Sequence, residues 1–396
     1  MRTRELAGRK IASVGLGDVS LERTSKRGRD PADAIRRVSE ALERGFDVID
    51  VAPEQDSERA VGETVRGLRV RDRAIVTTRV PALAGRDLVA SLPVRYLIER
   101  VEASLRATKL DVLPLVQLPL RAAWRGSSAW PELVGWCSRI IREGKVISWA
   151  VRVSETSRDA MPNIPRVQRT AVGAIEKEAP APRPAGSLIM LPDEAVLADP
   201  ALAIAVELSR ATAPAAVADD AEVVHPAVGF FDEPWLAALA IDFAMCARDA
   251  FALIASSKIP VLALHPLAGG ALAGTLGPGA SLAPHDDRHA LTPEQLEAIA
   301  VGVAKLASRV KREPLSARSC EAARAVLDTS PRPPNVMVTT IAELALRYVI
   351  DRGTIPLPRI HTREALGELW AAGEAAPLPA PLIEKIEELL PQELDA

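Results

Sequence analysis

The feature that most narrows what this chain can fold into is an alternation of short apolar runs and amphipathic segments over residues 10–153. Runs at 10–14, 46–51, 74–80, 112–118 and 146–153 carry apolar residues at successive positions, as strands covered on both faces do. Between them the apolar residues recur at helical spacing. Asp30 and Pro31 open the first helix, a capping side chain followed by a proline at the first helical position. Ile35, Val38, Ala41 and Leu42 share one face, and Gly45 ends it. Further helices are predicted over 56–68, 93–108 and 130–143. Connections this short imply a parallel sheet with helices packed on it. A doubly wound sheet and a closed eight-stranded barrel both satisfy the series. No GxGxxG turn follows the first strand, which favours the barrel.

The alternation blurs over 154–223, where Ala/Pro-rich stretches such as EKEAPAPRPAGS dominate. A helix over 195–210 is the one regular element predicted there. The segment reads as an insertion or remodelled stretch inside a single domain spanning residues 1–396. Beyond it, helices are predicted over 235–257, 291–310, 341–352, 362–372 and 381–390, with strands at 260–265 and 354–356.

Composition excludes several classes of function. The formal charge of −3 lacks the basic excess of a nucleic-acid or anionic-membrane binder. The amino terminus has no apolar run of signal-peptide type and no stretch suits a transmembrane helix, so a cytoplasmic protein is expected. Cys137, Cys246 and Cys320 are isolated and imply buried thiols rather than a disulfide or zinc framework. His285 and His289, in APHDDRHAL, read as a solvated turn, and no metal site is predicted.

Four segments then resemble the aldo/keto reductase family, in the family's order. They are GFDVIDVAPEQDSERAVGE (45–63), GKVISWAV (144–151), HPLAGGALAGTLG (265–277) and IAELALRYVIDRGTIPLP (341–358). The resemblance implies a (β/α)8 TIM barrel with its active site at the carboxyl ends of the strands. It also implies hydride transfer from a nicotinamide cofactor to a carbonyl. In the family this rests on a tyrosine acid, a lysine beside it, a histidine that orients the substrate and an aspartate.

Mapped by motif, the aspartate is Asp50, but the tyrosine position falls at Gln55, in a segment one residue short. The lysine is Arg79 and the histidine is Gln117. Glutamine has no ionisable proton and cannot act as a general acid. Arginine does not deprotonate and cannot tune a neighbour as a buried lysine does. The only two tyrosines, Tyr96 and Tyr348, lie inside predicted helices and read as core. The cofactor positions are altered too. The family's Ser-Asn pair maps to Arg152 and Val153, the glycine of its IPG turn to Arg359, the basic residue facing the 2′-phosphate to His361, and the adenine-contacting asparagine to Leu369. A stacking aromatic falls near Val228. The loop Pro266, Leu267 and Gly269 survives.

Asp50 and Arg79 are expected to persist as a buried ion pair. Gln55 and Gln117 are placed to bond each other or water. Trp124 and Trp130 are expected on a loop at the mouth, as a lid or a partner anchor, with Trp136 in the core. Two readings follow. The first is a barrel that has lost carbonyl reduction and serves as a binding, regulatory or scaffold subunit with a protein partner and no cofactor. The second is an oxidoreductase that uses NADP on a small carbonyl or alcohol through a rearranged acid, Glu54 or His265.

Overall fold

The computed structural model describes residues 3–19, 31–53, 57–85, 87–121, 124, 126–153, 235–248, 250–274, 291–307 and 338–391. Its centre is one sheet of eight parallel strands, paired in chain order. They are β3 (Leu16–Val19), β4 (Val48–Val51), β5 (Ile75–Arg79), β6 (Leu113–Pro119), β7 (Val146–Val153), β8 (Leu236–Asp242), β9 (Val261–Leu264) and β10 (Ile355–Leu357). The sheet curls until its edges meet, where the amide of Gly15 donates to Pro356 O at 3.1 Å and that of Gly17 to Pro358 O at 2.9 Å. The glycines permit this seam. A Cβ at Gly17 would stand 1.9 Å from the Leu357 carbonyl oxygen, and one at Gly15 would stand 2.7 Å from Val48 O. The result is a nearly closed (β/α)8 barrel, one of the two architectures the alternation allows and the one the resemblance implies.

Inward-facing residues form its apolar floor. Val48, Ile75, Leu115, Ala150, Ala238, Leu262 and Ile355 pack together with Leu6 and Ile11. Those last two come from an antiparallel hairpin of β1 (Thr3–Leu6) and β2 (Arg9–Ala12). Its two-residue turn takes Ala7 and Gly8 through positive φ, 49° and 71°, the geometry that matches strand twist. The hairpin plugs the amino-terminal end of the barrel. It is held there by Ala12 N donating to Asp47 Oδ2 (3.2 Å) and Arg4 donating to Ile350 O (3.0 Å).

Outward-facing strand residues pack under helices. These are α1 (Pro31–Glu43), α2 (Ser57–Gly67), α3 (Leu88–Ser91), α4 (Val94–Thr108), α5 (Trp130–Arg142), α6 (Phe251–Ser256), α7 (Pro293–Ala307), α8 (Ile341–Asp351), α9 (Arg363–Glu374) and α10 (Ala380–Leu389). Val38, Leu42, Val61 and Val65 cover Ile49, Val51 and Val76 on one side. Leu97, Val101, Leu133 and Ile140 cover Val116, Leu118 and Val151 on the other. Thr340 caps α8 by accepting from Glu343 N, and Thr362 caps α9 by accepting from Ala365 N.

Three sequence expectations are corrected. The 235–257 helix divides into strand β8, the irregular stretch after it and helix α6. LAALAID favours a helix by composition, but its place between β7 and β9 buries it in the sheet, and tertiary context overrides propensity. The 10–14 run belongs to the hairpin, and the GLG that follows enters β3 as the seam instead of forming a turn. Trp124 and Trp130, expected as a lid or anchor, are buried, while Trp136 is half-buried with the Arg139 guanidinium 4.7 Å over its ring. Cys137 and Cys246 are buried free thiols as expected. Cys320 and the segment 154–223, including the helix over 195–210, lie outside the described residues.

Candidate functional site

One inward position above the apolar floor, the barrel lining turns polar. Asp50 ends β4, Thr77 and Arg79 lie on β5, Gln117 on β6 and Arg152 on β7. Strand pairing sets Asp50 beside Thr77, Arg79 beside Gln117, and Gln117 beside Ala150, two residues short of Arg152. Because side chains alternate along a strand, these residues share the interior with the floor residues two positions before them.

Asp50, Thr77 and Gln117 are buried. Gln117 Nε2 donates to Asp50 Oδ1 at 2.7 Å and to Thr77 Oγ1 at 3.1 Å. Gln117 Oε1 is buried and has no hydrogen-bond partner. Burial raises the pKa of Asp50 above its ordinary value. The charges of Arg79 and Arg152, the Gln117 bond and His265 all pull it back without cancelling the burial. Asp50 is thus bonded to an amide, with two guanidinium charges acting on it. Gln117 takes the bonds the sequence left open, and its bonds to Asp50 and Thr77 use both amide hydrogens.

On the opposite rim, His265 Nδ1 lies 2.7 Å from Asp242 Oδ1. Asp242 is the last residue of β8, and His265 immediately follows β9. His265 is a non-glycine residue at φ 47°, in the left-handed region, and its side chain is half exposed. A carboxylate on one ring nitrogen orients the imidazole and leaves the other nitrogen for proton exchange. Asp242 was not legible in the sequence. Its signal was a carboxylate ending an apolar run, hidden because that run reads as helix.

The other mapped positions are dispersed. Val153 is buried in the apolar cluster beneath α5, not in the polar lining. Pro266 is buried and Leu267 packs against the outer clusters. Gly269 is exposed at φ 65°, beside Ala268 at φ 48°. Arg359 and His361 follow β10 and are half-buried, and burial lowers the pKa of Arg359. Leu369 is buried within α9. Glu54, Gln55, Asp56, His225, Val228, His285 and His289 lie outside the described residues. Among the described residues no group of three or more His, Cys, Asp or Glu is placed to hold a metal, and no helix is long and apolar enough to cross a membrane.

Both tyrosines of the chain are accounted for. Tyr96 lies on α4, half-buried against the outer cluster. Tyr348 lies on α8, buried, and its hydroxyl donates to Glu387 Oε1 at 2.8 Å. Burial and the Glu387 carboxylate push its pKa up to about 12. Both sit in the helical shell, outside the lining of the mouth.

Residues 13–170 match the model of the Aldo/keto reductase family. An aldo-keto reductase from Bacillus halodurans in its holo form is 17% identical, with 98% of this chain and 96% of that one covered and a TM-score of 0.54. An aldo/keto reductase from Klebsiella pneumoniae, solved with NADP and acetate, is 18% identical over 100% of this chain and 99% of that one, with a TM-score of 0.52. A glycerol dehydrogenase from Gluconobacter oxydans is 16% identical over 98% and 94%, with a TM-score of 0.58. Likeness at these identities shows a shared fold. No curated protein matches the sequence.

Proposed function

We propose that this chain, which has the aldo/keto reductase fold and matches that family over residues 13–170, does not reduce carbonyls by the family's route. In this reading it acts through what its barrel binds, as a binding, regulatory or scaffold subunit of an enzyme complex. The observation that carries the reading is the fate of its two tyrosines, both on outer helices. A chain with no tyrosine at the mouth has no phenol to protonate a nascent alkoxide there. Glutamine at position 117 and arginine at position 79 do not substitute, since neither exchanges a proton near neutrality.

The nicotinamide cofactor that the fold implies is poorly matched by the residues present. Where the family's Ser-Asn pair would hold a carboxamide, this chain has a guanidinium acting on Asp50 and a valine turned into the apolar shell. No step through the cofactor is derived for this barrel.

One observation favours a second reading. The His265–Asp242 bond supplies an oriented imidazole at the mouth, as an oxidoreductase with a rearranged acid requires. The test is calorimetric titration with NADPH and NADH, followed by NADPH consumption over a panel of aldehydes and ketones. The expected result is no binding at millimolar cofactor and no turnover. Turnover that disappears in His265→Asn overturns the first reading in favour of the second. Asparagine is the replacement of choice because it tolerates the left-handed backbone at this position.

A further inference from the structure

At the carboxyl end of the barrel, the parallel register of β8 and β9 sets Asp242 beside Leu264, the residue before His265. Asp242 Oδ1 and His265 Nδ1 meet there at 2.7 Å. A carboxylate at Nδ1 holds the ring proton on that nitrogen, so the lone pair of the neutral ring stands on Nε2. Among the described residues the ring makes no other hydrogen bond, and the side chain is 53% exposed. The imidazole is oriented on one side and open to solutes on the other.

The backbone that carries it is strained. His265 has φ 47°, Ala268 has φ 48°, and Gly269 and Gly270 follow at 65° and 100°. Glycine adopts the left-handed region without cost, and a histidine does not. For the turn alone, glycine would serve better at position 265. A histidine there lowers stability and places an imidazole on the rim, the kind of outlier that gathers at functional sites.

The ring also shares the mouth with cations. His265, Arg79 and Arg152 all act on the Asp50 carboxyl, from after β9, from β5 and from β7. A base beside positive charge is the combination that removal of a proton next to a carbonyl requires, because the base takes the proton and the charge favours the enolate oxygen.

We propose that the Asp242–His265 pair is a general base that enolises a small polar carbonyl compound at the mouth of the barrel, without a cofactor. His265 Nε2 takes the proton from the carbon beside the carbonyl. The electron pair of that C–H bond becomes the carbon–carbon double bond of the enolate, and the negative charge passes to the carbonyl oxygen. The imidazolium exchanges its proton with solvent and returns one to the same carbon. Nothing is oxidised or reduced, and the net change is one carbon-bound hydrogen replaced by a solvent hydrogen. His265 is the catalytic residue and Asp242 the positioning residue. This activity goes beyond both readings above, since it moves a proton and no hydride. NADPH turnover would overturn the first reading and leave the enolisation standing, whereas absence of exchange would remove the enolisation and leave both readings.

The experiment follows hydroxyacetone by proton NMR in D2O with the full chain and no cofactor. The signal of the hydrogens on its hydroxyl-bearing carbon is expected to decay saturably with substrate, about 100-fold or more faster than with free imidazole at the same concentration. His265→Gly keeps the left-handed backbone and is expected to abolish the exchange, with added imidazole restoring part of it. His265→Asn carries this arm if the glycine variant does not melt cooperatively. Asp242→Asn is expected to lower kcat about 10²–10⁴-fold with KM little changed, and Asp242→Glu to recover part of the loss. Exchange no faster than with free imidazole overturns the proposal outright. Undiminished exchange in a folded His265 variant overturns it by placing the base elsewhere. Full activity in Asp242→Asn overturns the role of the carboxylate.

Discussion

The two ends of the barrel are built from the same strands by opposite means. At the amino-terminal end, a hairpin presses the apolar side chains of Leu6 and Ile11 against Val48, Ile75 and Leu115. At the carboxyl end, the same strands present Asp50, Thr77, Arg79, Gln117 and Arg152, with a buried carboxyl raised in pKa and an amide oxygen without a donor. The floor is filled by apolar packing. The mouth is satisfied only in part, at the end of the strands where barrels of this type bind their ligands. The difference separates what folds this chain from what it is available to bind. Buried polar groups without full pairing subtract from stability, so they mark the end where something other than stability is served.

Two substitutions break the floor side of the comparison. Gly17→Ala puts a methyl into the Leu357 carbonyl at the seam, where neither backbone can retreat without opening the barrel. It is expected to destabilise by about 3 kcal/mol or more, or to leave no cooperative urea transition at all. A wild-type transition in this variant would mean that the strands close elsewhere. Ile11→Ala hollows the plug and is expected to lower stability by about 2–5 kcal/mol in the same measurement.

The sequence spoke for the two ends unequally. The floor and its shell follow from periodicity. Val48 and Ile49 face opposite sides of β4, and Ile35, Val38 and Leu42 share one helical face, so the alternation led to a parallel sheet under helices, and the family resemblance to its closure as a barrel. The strand missed was β8, because Leu236–Asp242 is rich in alanine and leucine and its strand character comes from its neighbours. With it went Asp242, hence the partner of His265. At the mouth, residue type gave the replacements at positions 79 and 117. It did not give the pairing. Arg79 was expected to act on Asp50, and its charge does, but the short hydrogen bond that Asp50 accepts from Gln117, 67 residues away and two strands across the sheet, was not foreseen. Contacts of that kind are set by strand register and leave no local trace in the sequence.

The mouth side is sharpened by two smaller effects. Gln117→Leu takes the amide donor from Asp50 and Thr77 and also removes the orphan oxygen. The loss dominates, because a buried carboxyl is left short of a donor. Stability is expected to fall by about 1–3 kcal/mol in urea unfolding. An unchanged midpoint would mean that Asp50 is satisfied without the amide.

Asp50→Asn tests the same layer with opposite sign. Burial raises the carboxyl pKa in the folded barrel above its ordinary value of 3.8, so the folded protein holds this proton more tightly than the unfolded chain does. The stabilisation from that proton is complete below the unfolded pKa and is lost as the pH rises through the folded one. Asparagine accepts the same bond from Gln117 and has no proton to lose. Variant and wild type should therefore melt nearly together at pH 4, with the variant higher by about 2–4 °C at pH 8. The opposing contribution is the pull of Arg79 and Arg152 on the carboxylate, which the variant forfeits. If the variant melts lower at pH 8, that pull outweighs burial, and the mouth is held together by charge after all. It would then resemble the floor in being built for stability, and the contrast between the two ends would fail at its centre.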